Sequence, residues 1–320
     1  MRKIKLLTLS IITIVIAISC DSNATGPTAE NSSWVFIANE GEFDFSGPTN
    51  TGTISMINEL GDVYETESLG DVVHSLAVYN NQLIVSVNNS QKILIFDISK
   101  DGLSESYQNI PTEDSPREII VEGNRAYFTT WHPDYNVYPT VNGHVKVLNL
   151  QNLEIEESIE VGIMPEGMLL DGNYLWVANS GEATIKKIDI QSNTVTETLD
   201  IGQGPQNLIK YNGEIYVSRT FYDADWNTSH GSSKVGSEIT IKNYGTGVPC
   251  TGAILNYNNQ IYRTGLVEEN GGIFPLYSDD LNFKDENGIG SYNQSQIYHA
   301  EVIENNIWFA ITNHTDMNEI

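Results

Sequence analysis

A tight Asn/Gly pair between two β-rich runs recurs along nearly the whole chain. It stands at Asn80-Asn81, Gly123-Asn124, Gly172-Asn173, Asn212-Gly213, Asn258-Asn259 and Asn305-Asn306, with a degenerate Asn31-Ser32 ahead of Trp34. Asn and Gly tolerate the positive φ that two-residue hairpin turns demand, so each pair predicts a hairpin. Successive turns lie 49, 43, 49, 40, 46 and 47 residues apart, the spacing of a four-stranded propeller blade. A second register agrees with the first. Asn58, Phe96-Asp97-Ile98, Leu148-Asn149-Leu150 and Ile188-Asp189-Ile190 each close an alternating apolar run with an Asx residue that opens the next turn. Helical periodicity is absent after residue 20. The expected fold is all-β, a seven-bladed β-propeller over residues 34–320. Blade one is expected to begin at its second strand, Trp34 to Asn39, and blade seven to stop after its second strand, Ile307 to Thr312. The reading is thus of a propeller truncated within its last blade, lacking about 40 residues. The rival is a six-bladed ring with a stray hairpin.

One repeat carries a family resemblance. Leu175-Trp176-Val177-Ala178-Asn179-Ser180-Gly181, followed by Ile185, Ile188-Asp189, Asn193-Thr194-Val195, Ile201-Gly202 and Gly204-Pro205, resembles the YVTN/YncE-type propeller repeat. The match is close over about residues 165–210 and looser elsewhere. Such a repeat is specific for fold and nearly silent about function.

The first twenty residues read as a leader. Arg2, Lys3 and Lys5 precede an apolar run from Leu6 to Ile18. Those residues as a helix would span roughly 20 Å, short of the ~30 Å of a bilayer core, which marks a signal peptide and not a membrane span. Ala17-Ile18-Ser19-Cys20 resembles the bacterial lipobox, which implies acylation of Cys20, a linker over 21–33 and a lipid anchor to the membrane. The chain carries a formal charge of −26, and removal of the three basic leader residues leaves −29. That field repels phosphates and excludes nucleic acid as a partner. Cys250 is the one cysteine besides Cys20, so no intrachain disulfide is available to the mature chain and the fold must be held by burial. Cys250 reads as a small buried hydrophobe.

Binding is expected on one face. From the hairpin turn to the third-strand Asx is 17 residues in blades two and four, but 27, 26 and 31 in blades one, three and five, with Asn243 closing the third strand of the last. The extra residues are expected in the second-to-third loops, which share one face of a propeller. Long loops there are tolerated cheaply and often carry function. Their aromatics are Phe43 and Phe45, then Trp131, His132, Tyr135 and Tyr138, then Phe221, Tyr222, Trp226 and His230. They form either a binding rim or small cores that cap the ring. Six residues before each turn stand His74, Arg117, Glu166, Gln206, Gly252 and His299, at the start of the strand that lines the channel; Pro116, Pro165 and Pro205 immediately precede three of them. They are expected to ring the channel mouth as a polar floor beneath the aromatic rim, or else as channel residues satisfied by water. The candidate ligand-binding set is therefore His74, Arg117, Glu166, Gln206, His299, Trp131, Tyr135, Tyr138, Phe221, Tyr222 and Trp226.

No phosphate loop, G-x-S-x-G elbow or H-E-x-x-H motif is present. No catalytic residues, cofactor or metal are assigned. Asp223, Asp225 and Asn227 have the alternating oxygens of a calcium loop but lack its central Gly and distal Glu, a weak candidate only. YncE-type propellers on lipoprotein leaders resemble surface lipoproteins of Bacteroidetes that sit on outer-membrane TonB-dependent transporters, one branch capturing cobalamin. The resemblance implies a cell-surface, outer-membrane-anchored protein that holds a small-molecule ligand and is not an enzyme. The alternatives are a protein- or glycan-binding scaffold and a propeller lactonase or lyase.

Overall fold

The computed structural model describes residues 11–13, 33–42, 44, 47–134, 136–223, 225, 227–246, 252–267, 270–284, 288–293, 295–303 and 305–313. These residues form strands and turns with no helix among them. Each sheet follows the chain in a simple antiparallel meander. Blade two shows the pattern: Val73–Tyr79, Gln82–Val87, Lys92–Ser99 and Gly102–Pro111 pair in that order. Blade three runs from Ser115–Glu122 to Glu154–Ile163, blade four from Pro165–Asp171 to Thr194–Asp200, and blade five from Pro205–Tyr211 to Ile239–Thr246. Blade six runs from Ile254–Tyr257 to Ile289–Asn293.

The hairpin turns form where the Asn/Gly pairs predict them. Asn80, Gly123, Gly172, Asn212 and Asn258 have φ between 48° and 61°, the left-handed region these residues adopt most cheaply. Asn149 and Asp189, two of the Asx residues that close the third strands, act as foreseen, whereas Asp97 lies inside its strand, Lys92–Ser99, and accepts from Gln82 Nε2 at 3.0 Å. Asn149 Oδ1 accepts the Gln151 N–H at 2.8 Å and Asp189 Oδ1 accepts the Gln191 N–H at 2.8 Å, so each side chain builds its own turn.

Three expectations change. First, the described ring holds six four-stranded blades, not seven. The seventh sector contains only the hairpin Ser295–Ile303 with Asn306–Asn313. That hairpin is not stray. Ile303 and Ala310 pack with Val35, Ile37 and Trp308, closing the ring onto blade one. Second, blade one is expected to begin at its second strand, whereas in the full chain residues of the leader run pair along its inner edge; processing at Cys20 would remove them. Ile11–Thr13 pairs antiparallel with Val35–Gly41, Ile12 opposite Asn39 and Thr13 opposite Ala38. A β-branched Ile-Ile-Thr run satisfies the inner edge of the sheet, which would otherwise present unpaired backbone groups. Cys20, its acylation and most of the linker lie outside the described residues, as does Cys250. Third, Asn243 belongs to the fourth strand of blade five, Ile239–Thr246, and not to the third, Thr228–Val235. The extra residues there lengthen the hairpin, Tyr222 pairing with Thr228, instead of forming a long loop. Backbone pairing satisfies groups that a loop would leave to solvent.

The core lies between blades. Leu83, Val85 and Phe96 of blade two meet Phe36 and Ile54 of blade one, while Ile84, Ile93 and Ile95 of the same blade meet Phe128 and Leu148 of blade three. Alternate residues of one strand thus serve two interfaces, as period-two side chains on a doubly covered sheet must. The innermost strands of blades two to six, and then Ser295–Ile303, stand side by side around the axis.

Candidate functional site

The innermost strands share a local defect that positions the site. In blades two to five the antiparallel register slips once near the start of the strand, between Val73/Ser75, opposite Phe128/Thr130, and between Pro165/Met168 and Pro205/Leu208. A bulge leaves a residue unpaired and re-aims its side chain. His74, Arg117, Glu166 and Gln206 all fall within these bulges. The prolines preceding three of them lack an N–H and suit the irregular entry.

Arg117, Glu166 and His74 come together. Arg117 donates from Nε to Glu166 Oε2 at 3.0 Å and from Nη2 to Glu166 Oε1 at 2.8 Å, a bidentate pair joining blades three and four. Trp131 packs its ring on the guanidinium, 4.1 Å from centroid to Cζ, and its indole N–H donates to Pro165 O at 2.9 Å. Tyr138 in turn packs on Trp131, ring centroids 4.8 Å apart and planes at 35°. His74 Nδ1 lies 3.1 Å from Glu40 Oε1, joining blades two and one. Ser75 Oγ donates to Glu118 Oε2 at 3.3 Å, joining blades two and three. A belt of polar contacts therefore laces blades one to four at one end of the ring.

The belt is electrostatically coupled. Burial works against the Arg117 charge, but attraction by Glu166, Glu40 and Glu118 outweighs it and holds the guanidinium above its ordinary range. Burial pushes the Glu166 carboxyl up, against the opposite pull of Arg117 and His74.

Other candidates fall elsewhere. Gln206 stands apart from the belt, beside the blade-six position: a Cβ added to Gly252 would lie 3.2 Å from the Gln206 Cβ. His299 is displaced by one place. Ile303 pairs with Asn306, so the last turn is one residue earlier than Asn305-Asn306 suggests, and the bulge falls between Ile297 and His299. Tyr298 takes the register position of His74, and His299 that of Ser75; a one-residue slip exchanges the faces of a strand. His299 Nε2 lies 3.8 Å from Glu301 Oε2. Phe221 and Tyr222 end the second strand of blade five, with the Arg219 guanidinium 5.4 Å from the Phe221 ring and Tyr222 half exposed. Phe43, Phe45, Tyr135 and Trp226 lie outside the described residues.

Asp223, Asp225 and Asn227 form a turn. Asp223 Oδ1 accepts the Asp225 and Asn227 N–H groups, both at 2.9 Å, and Oδ2 accepts Asn227 Nδ2 at 3.0 Å. Both Asp223 oxygens are thus committed to their own loop. Among the described residues no group of three or more His, Cys, Asp or Glu is placed to hold a metal ion.

Sequence reasoning missed Glu40 and Glu118. Glu118 follows Arg117 inside a bulge, where simple alternation fails as a guide, and Glu40 ends a second strand outside the innermost series. The buried guanidinium pair Arg219 and Arg263 was missed too. Both are 1% exposed, and burial draws each down to about 10. Arg263 occupies the strand position held by Val85, Phe128, Val177 and Val217 in other blades.

No family model and no curated protein matches the chain. Solved structures do. Hydrazine synthase of Kuenenia stuttgartiensis aligns at 15% identity with a TM-score of 0.58, over 76% of this chain and 73% of the other. A candidate 6-phosphogluconolactonase of Bacteroides fragilis aligns at 14% identity and 0.58, over 87% and 84%. The Dos1 propeller aligns at 10% identity and 0.58, over 84% and 70%. Likeness at such identities carries the fold alone: the chain is similar to β-propeller proteins and is itself an all-β propeller.

Proposed function

We propose that this chain is a lipid-anchored propeller of the YncE type that captures a small ligand at one end of its channel. Its site is the mouth where His74, Arg117 and Glu166 meet Trp131 and Tyr138. The observation that carries the reading is the series of bulges, which re-aim one polar side chain per innermost strand at a common end of the ring. A few fixed polar groups beside aromatic surface is the usual composition of a small-molecule site. The hairpin Ser295–Asn313, packed on blade one, fits the inner half of a seventh blade. The leader and Cys20 support anchoring at the outer membrane and cell surface. Resemblance supports delivery to a TonB-dependent transporter, with a cobalamin-type corrinoid as first candidate ligand.

Calorimetric titration with cobinamide and cobalamin tests this. Binding that weakens at least tenfold in Trp131→Ala supports it. Absence of heat with both removes the corrinoid assignment. Turnover of 6-phosphogluconolactone by the purified protein would move the site to the catalytic alternative.

A further inference from the structure

Two guanidiniums, Arg219 of blade five and Arg263 of blade six, are buried without a counter-charge. The chain holds 42 acidic residues against 16 basic ones, yet among the described residues no carboxylate acts on either group. Arg263 faces blade five. Its Nη2 donates to Arg219 O at 3.0 Å and its Nη1 to Thr264 O at 2.5 Å, while Nε, itself enclosed, has no hydrogen-bond partner among the described residues. Its Cζ stands 5.4 Å from the Tyr244 ring, whose hydroxyl donates to Leu281 O at 2.7 Å. Fully buried Ser232 acts on the same hydroxyl. Arg219 acts on Arg263 as a like charge, and its own Nε is unpartnered in the same way.

Carbonyl oxygens and a ring face offer only partial negative charge, and a buried ion is costly unless it is paired. A buried water could accept the Nε–H but would leave the charge standing. We infer that the seam between blades five and six holds a small monovalent anion of chloride size, bound on the Nε–H of Arg263 beside Tyr244. The anion compensates Arg263, accepts its orphan hydrogen and eases the repulsion from Arg219. Because Nε is enclosed, the seam excludes anything as large as a metabolite. The site lies outside the belt of blades one to four and does not depend on the ligand proposed there.

An ion that binds only the folded chain raises stability with its concentration. The thermal midpoint of the full chain is therefore compared with that of Arg263→Met in sodium gluconate and in sodium chloride, each at about 200 mM so that screening is equal. The variant removes the cation and corrects for any general effect of the salt. In gluconate it should melt above the parent. On exchange to chloride the parent should gain about 3 °C relative to the variant and close that gap. Crystals of the parent soaked in bromide should show an anomalous peak in contact with Arg263 Nε. The inference is overturned if the parent gains nothing over Arg263→Met in chloride, or if bromide is absent from the seam. The bromide reading uses the parent alone and holds even where the variant does not fold.

Discussion

Glu166→Gln asks the most of the structure. Glu166 accepts two charge-assisted hydrogen bonds from Arg117, at 2.8 and 3.0 Å, and the pair is largely shielded, with side chains 18% and 10% exposed. A glutamine keeps one acceptor but turns an NH2 toward the other guanidinium N–H, so one bond becomes a donor facing a donor. Removing one partner of a buried pair costs about 3–5 kcal/mol, because the remaining charge is left uncompensated. Here Glu40 and Glu118 still attract Arg117, which places the loss at the lower end, about 3 kcal/mol. With a urea m-value of about 3 kcal/mol/M the midpoint should fall by about 1 M. The double variant Arg117→Met/Glu166→Leu removes both charges and should lie within about 1 kcal/mol of the parent. Circular dichroism in urea reads all three proteins. A loss under about 1 kcal/mol in Glu166→Gln, or a double variant as weak as the single, would refute the view that this pair joins blades three and four as a compensated unit.

Arg263→Met should stabilise the fold by about 1 kcal/mol in the same assay, since the guanidinium is buried on carbonyl acceptors, Thr264 O at 2.5 Å and Arg219 O at 3.0 Å, with Nε lacking a hydrogen-bond partner among the described residues. A base held down at about 10 when folded binds its proton less readily there, so the cost is in full below pH 10 and is relieved as pH rises above it; the gain should therefore be present at pH 7. Gly204→Ala should cost about 3 kcal/mol and lower the midpoint accordingly, because φ is +69° and a Cβ would stand 2.0 Å from the Thr220 carbonyl oxygen. Asp223 should titrate below its ordinary 3.8 by NMR, chiefly through the hydrogen bonds from Asn227, and Asn227→Ala should return it toward that value. A depressed carboxylate supports its turn above pH 3.8 and loses that support as pH falls through the lower folded value.

Local rules account for what the sequence determines alone. Asn80, Gly123, Gly172, Asn212 and Asn258 name the hairpins because positive φ is a property of single residues, and Asn149 and Asp189 name the next turns because an Asx side chain bonds its own backbone. From these follow the blades, the chain direction within each, and the end of the ring that bears Arg117. Tertiary structure decided the rest. Bulge placement separates His299 from the position of His74 by one residue, and no local signal at Asn305-Asn306 reveals the slip. Whether an inserted segment becomes loop, as between Trp131 and Asn142, or longer strand, as at Tyr222 and Thr228, depends on partners across the sheet. The bond between Arg117 and Glu166, 49 residues apart, exists because two blades pack side by side. Turn residues act on their own dihedral angles, whereas a site spanning blades one to four is assembled only when the ring closes.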